Sequence, residues 1–229
     1  MSEPEYIIKD KTIIFHSQFN KPLEFDNNIN FQNLFSKLCN YALYYKLLKS
    51  KSYNKIIFSD CKYCAFDDCW IDKFDALNGI YHRWFYHPSE FNNLLDLSAF
   101  PNITEIIFGS HFNRKKFKLS PYLTHLTFGF RFNKQVSISE FEFLKYLEFG
   151  YKFNQPILKF SQNLQVLIFD GLFNHPLTNL PESLVELRIK NFTFKKNLNI
   201  LSNIEILEIH TLHTLNKNIK LPNTLKSLK

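Results

Sequence analysis

Three cysteines and two histidines, close together, are the side chains in this sequence best suited to chemistry. They read Cys61-x2-Cys64-x4-Cys69, with His82 and His87 downstream. Thiolates two residues apart suit a tetrahedral zinc ion, and four residues between the histidines falls within the range of zinc fingers. A dependable site has a second closely spaced pair, however, and the gap from Cys69 to His82 is short. The intervening text is aromatic, and free cysteine commonly packs as a small apolar group. The expectation is no metal and no cofactor. Nucleophilic catalysis fares no better. Cys64 and His82 could meet in space, but nothing supplies an oriented third group or a Gly-rich oxyanion turn. GxGxxG, GxxxxGK[ST] and HExxH are all missing. No residue is assigned a catalytic role, and the chain is not expected to be an enzyme.

The elements that must position any functional side chain are set by a repeat. The dipeptide Phe-Asn stands at Phe91-Asn92, Phe112-Asn113, Phe132-Asn133, Phe153-Asn154 and Phe173-Asn174, at intervals of 21, 20, 21 and 20 residues. Apolar residues keep the same step. Ile103, Leu123, Leu144, Leu164, Leu184 and Ile204 open the units, with Ile106, Leu126, Leu147, Leu167, Leu187 and Leu207 three residues on. Phe108, Phe128, Phe149, Phe169, Ile189 and Ile209 follow two later. A fixed period near 20 is the sequence mark of a solenoid. The last two positions of each triplet share one face of a short strand, which is stable only when neighbouring units stack and pair in parallel.

Three further expectations attach to the unit. The Phe of each Phe-Asn pair fills the space beneath the next turn. The Asn bonds main-chain groups and forms a ladder from turn to turn. Gly109, Gly129 and Gly150, directly after the strands, predict a tight or positive-φ turn, although Asp170, Lys190 and His210 hold that slot later. Pro121, Pro156, Pro176, Pro181 and Pro222 fall outside the predicted strands, where a missing amide does no harm. Beyond Leu184 the motif decays, with Phe194 and Leu215-Asn216 as faint copies.

The third and fifth slots of each unit face away from the predicted core. They read Glu105 and Ile107, His125 and Thr127, Tyr146 and Glu148, Val166 and Ile168, Glu186 and Arg188, Ile206 and Glu208. Solenoids grip partners on such surfaces. Tyr146 beside Val166, Ile168 and Ile107 reads as an apolar centre ringed by Glu148, Glu186, Arg188 and Glu208, as in many binding patches. His125, Tyr146, Glu148, Val166, Ile168, Glu186, Arg188 and Glu208 are therefore the candidate partner-binding residues. The alternative is that the apolar ones are plain strand formers covered by neighbours, in a repeat protein with a purely structural role.

The blocks LKYLEFGYKFNQPI (Leu144 to Ile157) and LQVLIFDGLFNHPL (Leu164 to Leu177) resemble FNIP repeats, which are relatives of leucine-rich repeats. The resemblance covers about residues 101 to 229. It implies a leucine-rich-repeat-like solenoid of short parallel strands, of a type familiar from amoebae and their giant viruses and often found behind an F-box. No Leu-Pro pair followed by an acid introduces a helix predicted near residues 31–50, so no F-box is recognisable here and a role in ubiquitin ligation stays open.

Composition bounds the rest. The chain has 229 residues, 45% of them apolar, with 26 Phe, which is enough for an ordered core. Net charge is +7, but in sequence the cations look scattered. Arg114 to Lys116 and Lys195-Lys196 are the longest clusters. A nucleic-acid binder gathers its cations on one face, so a protein is the expected partner; nucleic-acid binding through Arg114, Lys115, Lys116, Lys195 and Lys196, and metal binding at the cysteines, are the further alternatives. MSEPEYIIKD is unlike a secretory signal, and no apolar run approaches the ~20 residues of a membrane span. With free cysteines expected, the predicted location is intracellular and cytoplasmic, in a host cell if the chain is viral.

The N-terminal part is expected to cap the array. Tyr6 to Ile8 and Lys11 to Phe15 read as short extended runs, and Phe19-Asn20 as an outlying copy of the unit. A helix is predicted near residues 31–50 from apolar residues spaced at three and four. Tyr53, Ile56 and Phe58 fit the three apolar slots. Residues 60–86 read as an irregular excursion with a short helix near 72–77. The predicted division is a cap region, 1–89, and a repeat solenoid, 90–229.

Overall fold

The computed structural model describes residues 6–15, 19, 48, 50, 52–58, 91–191, 203–210 and 221–229. Its strands are β1 (Tyr6–Lys9), β2 (Thr12–Phe15), β3 (Lys55–Phe58), β4 (Glu105–Ile107), β5 (His125–Phe128) and β6 (Tyr146–Phe149). Then come β7 (Val166–Phe169), β8 (Glu186–Ile189), β9 (Ile206–Ile209) and β10 (Ser227–Leu228). All ten lie side by side in chain order in one sheet, which runs on across residue 90. β1 and β2 form an antiparallel hairpin. Every later pairing is parallel. Asp10 opens the two-residue hairpin link at φ 52, a left-handed conformation that Asp tolerates better than most residues.

The triplet of apolar slots explains the sheet. All eighteen residues named for it are buried, from Ile103 at 0% exposure to Ile209 at 8%. Register places like on like. Leu126 pairs with Leu147 and Phe128 with Phe149, then Leu147 with Leu167 and Phe149 with Phe169. One continuous core therefore lies on a single side of the sheet.

Phenylalanine fills that core in two columns. Strand-end rings stack in the order Phe15, Phe58, Phe108, Phe128, Phe149, Phe169, with centroids 5.4 to 5.5 Å apart. Motif rings stack as Phe19, Phe91, Phe112, Phe132, Phe153, Phe173 at 5.8 to 6.1 Å. Within a turn the two columns touch, as Phe149 and Phe153 do at 3.8 Å. Phe19 thus holds the place expected of an outlying copy.

Beside the rings runs the asparagine ladder. The amides of Asn113, Asn133, Asn154 and Asn174 donate to Oδ1 of Asn92, Asn113, Asn133 and Asn154 in turn, at 2.9 to 3.0 Å. Each side chain supplies an acceptor to an amide lying outside the strand ladder. A buried Phe ring contributes roughly 2 to 3 kcal/mol and a net hydrogen bond about 1 kcal/mol. The rings therefore dominate stability, while the asparagines fix which residue sits above which.

A second, interrupted ladder runs on the opposite edge, at the residue before three of the six opening apolar slots. Asn163 and Asn203 donate through Nδ2 to the carbonyls of Glu142 and Glu182, at 2.8 and 2.9 Å. Asn102 reaches the carbonyls of Leu48, Ser50 and Tyr53, at 2.9 to 3.1 Å. The sequence does not announce this ladder, because Tyr122, Phe143 and Ser183 interrupt its asparagines.

Of the two alternatives expected at the glycines, a tight turn or a positive φ, Gly129 and Gly150 show the first. A Cβ on Gly129 would lie 2.1 Å from the Gly109 carbonyl oxygen, and one on Gly150 would lie 2.4 Å from that of Gly129. Neither residue has a left-handed φ. The turn is tight because successive backbones stack closely, and that closeness is what excludes a side chain.

The spacing of Phe58 and Phe91 locates an insertion. Strand-end and motif rings normally stand four residues apart, as Phe108 and Phe112 do. Here the same contact, at 4.0 Å, joins residues 58 and 91. Residues 59–90 are therefore inserted within a single turn. Cys61, Cys64, Cys69, His82 and His87 all belong to that insertion and lie outside the described residues, as does the short helix expected near 72–77. The helix expected near 31–50 also lies outside them, except for Leu48, which is fully buried, and Ser50. Phe194 and Leu215-Asn216 are likewise outside.

Candidate interaction surface

The parallel register lays the outward slots in two rows across the sheet. One row runs Glu105, His125, Tyr146, Val166, Glu186, Ile206, and the other Ile107, Thr127, Glu148, Ile168, Arg188, Glu208. Neighbours in a row are one strand apart, about 4.8 Å. All eight candidate residues lie on this one face.

Tyr146 stands at the centre of the first row. Its ring stacks on His125 with centroids 5.7 Å apart, and Nδ1 of His125 is 2.9 Å from the Thr124 hydroxyl. The Tyr146 hydroxyl donates to Glu148 Oε2 at 2.7 Å. Burial, then the neighbouring Glu148 carboxylate, pushes the phenol well above its ordinary range, so it stays protonated as a donor.

Farther along, Arg188 joins two carboxylates. Its Nε meets Glu186 Oε1, and its Nη1 lies 3.5 Å from Glu208 Oε2. Glu208 Oε1 is 2.8 Å from Nε2 of His210. Glu208 is only 9% exposed and Ile168 only 7%, so the face holds both more deeply than an outward slot implies. Partly exposed ion pairs contribute about 0 to 1 kcal/mol. Their larger effect is to hold side chains of alternating charge in fixed positions beside Val166 and Ile168.

The expected apolar centre is smaller than the sequence suggests. Val166 and Ile168 adjoin Tyr146 and Glu148 directly. Ile107 does not belong with them: Thr127 and Glu148 occupy the two intervening strands of its row, leaving it three strands from Ile168. Two polar contributors lie beyond the eight residues that the outward slots point to. The sequence marks His210 only as a turn residue, yet it reaches Glu208. Lys55 extends the first row one strand beyond Glu105, with which it pairs at 3.1 Å.

Among the described residues no group of three or more His, Cys, Asp or Glu is arranged to hold a metal ion. Among them, too, no helix is long and apolar enough to cross a membrane.

No protein-family model matches the chain, and no curated protein does either. Among solved structures it is similar to the crystal structure of CroV588, described as a novel circular LRR protein. The TM-score is 0.50 and the identity 24%, over 98% of this chain and 38% of that one. This chain thus spans well under two thirds of that protein's length. The likeness is one of fold: the chain is a leucine-rich-repeat-like solenoid of parallel strands.

Proposed function

We propose that the chain is a non-catalytic scaffold that holds a protein partner against the outward face of its strands. The observation that carries this reading is the pair of in-register rows. They set Tyr146, Val166 and Ile168 among Glu148, Glu186, Arg188 and Glu208, with the polar groups already fixed by one another. Preorganised polar groups around an aromatic anchor cost little ordering entropy on binding. A leucine-rich-repeat-like fold suits this role, since solenoids commonly bind through extended surfaces. The finer assignment, to FNIP repeats, rests on the Phe-Asn pairs and their ladder. The division into an N-terminal cap, 1–89, and a solenoid, 90–229, and a cytoplasmic setting, belong to the same reading.

The test is affinity capture followed by direct titration of whatever protein is captured. Replacing Tyr146, Ile168 and Arg188 together with alanine is expected to abolish binding with an unchanged far-ultraviolet dichroism spectrum. Undiminished binding by a folded triple variant contradicts the assignment to this face.

A further inference from the structure

Stacking gathers cations that the sequence disperses. Between Ile106 and Ser139 the chain has no Asp or Glu, and none again between Phe149 and Phe169. The Phe-Asn corners of these turns lie directly over one another. The Arg131 amide donates to the Ser110 carbonyl at 3.0 Å and the Lys152 amide to that of Phe130 at 2.9 Å. The asparagine ladder fixes the adjoining residues in the same way. Arg131 and Lys152 therefore form one column, and Arg114 and Lys134 a second, flanking the ladder, with Lys115 beside them. Lys115, Arg131 and Lys152 are exposed and Arg114 and Lys134 half-buried.

Of the carboxylates on the flanking turns, Asp96 is tied to Lys118 and Asp170 to Lys190, each at 3.0 Å. Glu140, Glu142 and Glu182 fall on the opposite edge, where the second asparagine ladder runs. Two half-buried aromatic rings sit within the cationic columns. Phe130 and Tyr151 stack at 5.3 Å, and Lys152 Nζ stands 5.9 Å from the Phe130 centroid.

We infer that this ridge is a second binding surface, separate from the strand face, and that it takes the backbone of single-stranded nucleic acid. Two short adjacent columns, with neighbours in each one strand step apart, about 4.8 Å, make a strip that a single phosphate chain can follow. A duplex presents two across a groove. Aromatic rings among such cations are what single-strand binders offer to unstacked bases.

The experiment is fluorescence anisotropy of the full chain with a labelled 20-nucleotide oligouridylate between 50 and 300 mM salt. Counterion release from a single strand gives a slope of about −0.7 per phosphate neutralised. Engagement of the five cations predicts a log–log slope of about −3 to −4. R131Q/K152Q is expected to weaken binding about tenfold at low salt and flatten the slope by about 1.4. K145Q/K226Q removes equal charge away from the ridge and is expected to change affinity less than twofold. Equal losses in the two double variants overturn the inference. So does binding to phosphatidylserine vesicles with none to the oligonucleotide, or binding to neither. A duplex of the same length that binds as tightly overturns the single-strand preference. These outcomes leave protein capture by the strand face untouched.

Discussion

Asn133 shows how one side chain can set the geometry of a turn. Its Oδ1 accepts from the Asn154 amide and from Gln155 Nε2, both at 3.0 Å. Asn133→Ala removes that acceptor from a solvent-exposed amide, and denaturant unfolding is expected to register a loss of about 0.5 to 1.5 kcal/mol. Asn133→Asp keeps an acceptor there and should recover most of it. Gly129→Ala drives a methyl into the Gly109 carbonyl. It should cost about 1 to 3 kcal/mol in the same measurement, since overpacking cannot be relieved by rotating a side chain. Asp96 offers a pH readout. Burial alone would raise its carboxyl, but hydrogen bonds from Ser98 and Lys118, with the Lys118 charge, outweigh it and hold the pKa below 3.8. A depressed carboxylate stabilises the fold above its unfolded pKa, and that contribution is lost as pH falls through the folded one. The stability gap between wild type and Asp96→Asn is therefore expected to be constant near neutrality and to shrink below about pH 4. A gap that widens on acidification contradicts the assignment.

At the scale of the element, the strands and turns were legible because each apolar slot recurs with one orientation. The eighteen slot residues and the Phe-Asn pairs state a period, and a period fixes both strand and register. Ile107 shows the limit. Proximity on the outward face depends on strand order as well as slot, and grouping apolar residues by type alone joined one that lies three strands away. The glycines show another limit, since close stacking and left-handed turns call for the same residue. The opposite-edge ladder escaped because Asn102, Asn163 and Asn203 are interrupted by other residue types. Phe153 is the severest test of the columns, with Phe132, Phe149, Phe169 and Phe173 all within 6.2 Å. Phe153→Ala should cost about 3 to 5 kcal/mol in denaturant unfolding, and a loss below 1 kcal/mol contradicts this packing.

For the whole molecule, one stacking rule creates two surfaces of different character. The strand face mixes charges already satisfied by one another, which suits a protein partner. The Phe-Asn edge collects one sign of charge. Sequence shows only the Arg114 to Lys116 cluster of the second surface, because Arg131, Lys134 and Lys152 are distant along the chain and join it only through the period of the stack. The same rule explains how residues 59–90 can interrupt a turn without breaking the sheet, since Phe58 and Phe91 close the gap as any other turn does. Hydrogen exchange of the backbone amides of Asn113, Asn133, Asn154 and Asn174 tests that rule most directly. These amides lie outside the strands, so their protection comes from the turn before each one. All four are expected to exchange slowly and together, at rates set by the opening of the stack. Exchange at the rate of an unstructured peptide would show that the turns do not lie in register, and both surfaces would go with them.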